Sequence, residues 1–218
     1  MKTEDLINAL AADVRTPVRR LKPPVIGLII WLALSAPWVA FVVMQMGLRP
    51  DLALKLAEPG WMLEEAAALM VAVTAAMAAL CAGVPGRPHW ERWVPVLPLL
   101  IWLGTLGAGC LHEMESGPGG LILRSDWACL PGIIMIGLVP GAAMALMLHR
   151  RAPLAPVLSV GLGGLAAAAL ADFGLRLFHQ QDARVMVIVW QVGSVALLTA
   201  VSALLGPRLV RWRHSRDG

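Results

Sequence analysis

Six long apolar runs alternate with short polar segments along this chain, and that alternation governs the rest of the reading. The runs cover about 25–48, 62–84, 93–111, 129–148, 153–177 and 185–205. Each is near the roughly 20 residues that a helix needs to cross a bilayer's hydrocarbon core. A barrel would show strands of about ten residues with strict alternation, a pattern that is missing here. Lipid offers backbone groups no hydrogen-bond partners, so spans of this length must be helices. The pattern therefore predicts an all-α integral membrane protein. A bundle of six transmembrane helices fills 25–206, a segment of residues 1–24 precedes it, and a basic tail at 207–218 follows.

The first segment, MKTEDLINALAADVRTPVRRLKPP, is the one sizeable stretch that does not belong to a span. Thr3 suits an N-cap, and Glu4 and Asp5 fall in the first turn, where the helix dipole favours acids. Leu6, Ile7, Leu10 and Val14 then recur at helical spacing on one face. Pro17 sets the end of this short amphipathic helix near Arg15 or Thr16. A basic elbow with Arg19, Arg20 and Lys22 follows and leads into the first span. Two roles fit such an element. It can lie on lipid as an interfacial helix, or it can lay its apolar face into a protein groove. Acids at Glu4, Asp5 and Asp13 suit anionic lipid poorly and favour the groove.

Charge orients the bundle. Of the 18 Lys and Arg residues, Arg49, Lys55, Arg124, Arg176 and Arg184 fall on one side, and the other 13 share the side of the N-terminus. By the positive-inside rule, both termini are expected in the cytoplasm. Hydrophobic residues make up 58% of the chain and charged residues 15%, against about 25% charged in soluble domains. No polar segment reaches the roughly 50 residues of a soluble domain. The basic residues flank spans rather than forming one patch, which argues against direct nucleic-acid binding.

Small residues mark helix contacts: Gly137, Gly141 and Ala145 in the fourth run, and Ser159, Gly163, Gly164 and Ala168 in the fifth. Their spacing argues for packing first and for a homo-oligomer only weakly. Asp172 reads as the acid well inside an apolar run. Arg176 follows one turn later on the same face, so the two are expected to form an intramembrane ion pair. Cys110 and Cys129 sit at the outer ends of the third and fourth spans, and Cys81 at the inner end of the second. Depth alone permits a bridge between the first two. Buried small apolar residues are the alternative reading of both. No phosphate loop, nucleophile elbow or metalloprotease motif appears, no spacing matches a metal-ligand motif, and no cofactor is expected.

The chain resembles a bacterial family, the NrsF-type anti-sigma factors, which are six-span negative regulators of extracytoplasmic-function sigma factors. The specific part is Thr3-x-Asp5-Leu6-Ile7-x-Ala9-Leu10-Ala11 followed by Pro17-Val18-Arg19-Arg20-Leu21-x-Pro23-Pro24. Less specific matches include Cys129-Leu130, Pro140, Arg150-Arg151-Ala152-Pro153, His179, Trp190 and Arg208-Leu209-x-Arg211-Trp212. The resemblance implies an inner-membrane protein, not an enzyme, that holds a sigma factor through Leu6, Ile7, Leu10, Val14, Arg19 and Arg20. It also implies sensing of an envelope, oxidative or metal stress on the outer side, with Cys129 and His179 at positions that match the family and Cys110, at the same depth, as the candidate substitute for a second cysteine. The family pattern carries a second outer cysteine directly after the histidine matching His179. Gln180 occupies that position here. Two other classes compete with a regulator: a membrane thiol redox protein acting through the outer cysteines, and a small transporter using Asp172.

Overall fold

The computed structural model describes residues 3–12, 23–115, 129–150, 154–180 and 183–209. All regular structure among these residues is helical. A short helix α1 (Thr3–Ala12) precedes α2 (Pro24–Met46), and a small helix α3 (Leu52–Leu56) leads to α4 (Pro59–Ala82). A 3-10 turn at His89–Arg92 opens α5 (Val96–Glu115). Then come α6 (Cys129–His149), α7 (Pro156–Arg176), α8 (Arg184–Met186), a widened π turn at Val187–Val192, and α9 (Gly193–Leu209). Among the described residues, six helical segments are long and apolar enough to cross a membrane. The six-span all-α bundle read from the hydropathy pattern is therefore what the chain forms.

Local chemistry sets several boundaries. Proline occupies the first turn of α2, α4 and α7, where its missing N–H costs no helical bond. This brings the start of α4 forward to Pro59, ahead of the apolar run at 62. After α2 the chain turns at Gly47, whose φ of +80° suits a residue without Cβ. Its N–H closes on the carbonyl of Val43 at 3.0 Å.

Helices α4 and α7 form the centre. Two-thirds of each is buried, against a third or less of the other four spans. Both are rich in alanine, and α7 adds glycine. Without a hydrophobic drive between helices in lipid, close approach over small residues supplies the packing. Helix α7 meets α4, α6 and α9 together. A Cβ at Gly174 would lie 2.7 Å from Val39 Cγ1, so the glycine admits α2 to the same centre.

Proline 140 opens a gap in α6 that α2 fills. Lacking an N–H, it leaves the carbonyl of Ile136 without its helical donor. The Trp38 indole N–H donates to that oxygen at 3.1 Å. Fully buried Trp31, two turns earlier on α2, donates to the Pro140 carbonyl at 2.9 Å. The Trp38 indole thus satisfies a backbone carbonyl that lipid cannot, and the Trp31 bond gives its own buried N–H an acceptor.

The alternating spans place Pro24, Ala82, His149, Pro156 and Leu209 at one end of the bundle, the near end. Met46, Pro59, Cys129 and Arg176 lie at the other, the far end.

Candidate functional site

Two regions carry chemistry: α1, ahead of the bundle, and a buried polar layer at the far end.

On α1 every described side chain from Thr3 to Ala9 is exposed. Leu6 is 44% and Ile7 58% accessible, which leaves apolar surface uncovered on a helix too short to be stable alone. The side chain of Leu10 lies outside the described residues, as do Val14, Arg19, Arg20 and the expected continuation of the helix to Arg15 or Thr16.

The far-end layer centres on Arg176, which is 2% exposed at the last turn of α7. Its two terminal nitrogens both donate to Glu64 Oε2 at 3.1 Å. Its Nε lies 2.8 Å from Glu65 Oε1, a contact close enough for an ion pair but not aligned as a hydrogen bond. The guanidinium also lies 5.7 Å from the centre of the Trp61 ring, within cation–π range. One cation thus joins α7 to three side chains of the first turns of α4.

The pair expected between Asp172 and Arg176 does not form. Arg176 turns to the two carboxylates of α4, which together offer more negative charge than one aspartate a turn away. Asp172 is fully buried, and neither of its oxygens accepts a hydrogen bond among the described residues. Glu64 and Glu65 are the residues that the hydropathy reading missed. Their signal was present: two adjacent acids just inside an apolar run require a cation at the same depth, and Arg176 lies at that depth in another span.

A strap from α2 covers this layer. Arg49 N–H donates to the carbonyl of Leu177 at 3.1 Å, just past the end of α7. The buried Arg49 guanidinium forks onto Asp51 with two bonds of 2.8 Å. That guanidinium holds the Asp51 carboxyl below the usual carboxylate range.

Beside the strap, Cys129 at the first residue of α6 meets the segment after α7. Its Sγ lies 3.6 Å from His179 Nε2, and the thiol is fully buried. These two sensing candidates are therefore neighbours. Cys110 is half-buried near the end of α5, and Cys81 is buried at the near end; all three cysteines are free thiols. The imidazole can accept from the thiol or stabilise the thiolate, depending on its tautomer. A base beside a thiol favours reaction with an oxidant or a soft cation, but Cys129 is fully buried, so such a reagent reaches it only when the start of α6 opens.

A family model described as "Negative regulator of sigma F" matches residues 10–212. The chain is 29% identical over 220 residues to a protein of Azospira oryzae called "Probable anti-sigma-F factor NrsF", covering 97% of this chain and all of that protein. No solved structure matches.

Proposed function

The chain belongs to the family of negative regulators of sigma F, and we propose that it is a membrane-bound anti-sigma factor for an extracytoplasmic-function sigma factor. On this reading the bundle sits in the bacterial inner membrane with both termini in the cytoplasm. The excess of 13 basic residues over five on the N-terminal side supports that orientation. The segment of residues 1–24 then holds the sigma factor and keeps it from RNA polymerase.

The observation that carries the proposal is the exposed apolar surface of α1 at Leu6 and Ile7. An uncovered apolar stripe on a short helix outside the spans suits a groove on a protein partner. Acids on the same helix and basic residues at Arg19 and Arg20 give the partner both signs of charge to read. Release is driven from the far end, where Cys129 and His179 are neighbours beside the Arg176 layer, once opening of the start of α6 admits an oxidant to the buried thiol. Modification of the thiol would disturb the start of α6, which packs on α7.

The test is a sigma-dependent reporter in cells carrying Leu6→Asp. Burying a charge in an apolar contact should cost on the order of 2 kcal/mol or more, as at an interface hot spot. Transcription should rise without stress while the protein remains in the membrane at its normal level. An unchanged reporter at normal protein level refutes the role of α1.

A further inference from the structure

We propose that the groove between α6 and α9 seats one acyl chain of an anionic phospholipid, with the headgroup held at the near end by Arg150 and Arg208.

Both α6 and α9 pack on α7 and touch each other little, so a cleft runs between them. Its volume is 380 Å³, within the roughly 300–1,000 Å³ of small-molecule sites. Gly164 and Ala167 of α7 make the floor, Ala145 and Leu148 one wall, and Leu198 and Ser202 the other. Apart from the Ser202 hydroxyl, nothing in that set carries a polar side chain. The cleft lies between three helices that are each long and apolar enough to span a membrane, so it opens onto hydrocarbon. From Ile133 to Leu148 it runs about 23 Å along α6 at 1.5 Å per residue. That exceeds the roughly 15 Å depth of one leaflet, so a chain from a single leaflet fits within it.

The near end supplies the complementary charge. Arg150 directly follows α6, and Arg208 is the penultimate residue of α9; both are exposed, and neither is ion-paired among the described residues. Their sequence neighbours His149 and Leu209 bond through the imidazole Nδ1 and the Leu209 carbonyl at 2.8 Å, tying the near ends of the two walls together. Basic pockets between transmembrane helices at such a position recognise anionic headgroups. The same tie argues against a second copy of the chain, because a straight helix 10–12 Å wide would have to pass it. The small-residue stripe is also occupied within the chain: a Cβ at Gly137 would lie 3.4 Å from Ala171 Cβ, and one at Gly141 would lie 3.8 Å from Ala167 Cβ.

The experiment is native mass spectrometry of the purified full chain, titrated with dioleoyl phosphatidylglycerol or dioleoyl phosphatidylethanolamine. One phosphatidylglycerol should be retained under conditions that strip phosphatidylethanolamine. The double variant Arg150→Gln with Arg208→Gln should weaken its retention roughly thirty-fold. Ala145→Phe should abolish it by filling the cleft, and the smaller Ala145→Leu should weaken it while the protein stays monodisperse. Excess inorganic phosphate should not displace the lipid. Equal retention of the two lipids, full retention by the monodisperse Ala145→Leu protein, displacement by phosphate, or a lipid-free dimer in place of the bound lipid would each overturn the proposal.

Discussion

Replacing Arg176 with methionine tests whether the far-end layer holds the bundle together. The substitution keeps most of the side chain's length and removes its charge. Glu64, 1% exposed, and Glu65, 4% exposed, then lose the cation that both share. Breaking a buried ion pair by removing one partner costs about 3–5 kcal/mol, because the remaining charge is left uncompensated. Loss of the Trp61 contact adds about 0.5–2 kcal/mol. Together these predict a loss of about 3.5–7 kcal/mol. The second arm combines Arg176→Met with Glu64→Met and Glu65→Met. That triple variant removes both signs of charge and should recover most of the loss, since replacing a whole buried ionic group by hydrophobic residues of similar volume is often nearly neutral. The assay is unfolding in one fixed detergent followed by tryptophan fluorescence, with the interaction energy taken from the mutant cycle. A single variant within about 1 kcal/mol of wild type would refute the reasoning. So would a triple variant no more stable than the single one.

Trp38→Phe keeps the ring and removes the donor to the Ile136 carbonyl. It should destabilise the bundle by about 1–3 kcal/mol, the cost of an unsatisfied buried acceptor; the same unfolding assay checks this, and no change would mean that the gap above Pro140 needs no outside donor. Cys129→Ser should leave basal repression intact and abolish reporter induction by a thiol oxidant that cannot cross the inner membrane. Undiminished induction would move the sensor away from the contact with His179.

The spans were legible in the sequence because lipid imposes one rule on every residue of a helix that crosses it. Twenty consecutive apolar positions leave little else for the chain to form. The pairing of charges was less legible. Asp172 and Arg176 are four residues apart on one helix, and local spacing makes them partners. The true partners, Glu64 and Glu65, are more than 100 residues away in sequence. Only the packing of α4 on α7 brings them to the guanidinium, and hydropathy carries no information about which helices touch. The contact of Cys129 with His179 was hidden for the same reason, although both residues were visible as candidates at one depth. The role of Trp38 was half legible. Pro140 announces an unpaired carbonyl at Ile136, but the donor comes from a helix about 100 positions earlier.

On the proposed function, residues 1–24 hold a sigma factor. The most direct measurement is co-purification of the full chain from detergent-solubilised membranes, beside a second chain in which Leu6→Asp and Leu10→Asp disrupt the apolar face of the N-terminal segment. Mass spectrometry then identifies the bound proteins. A small sigma factor should be recovered in near-stoichiometric amount with the wild-type chain and be reduced at least ten-fold with the variant. Equal recovery of the sigma factor with both chains, or its absence from the wild-type sample, would contradict the proposed function.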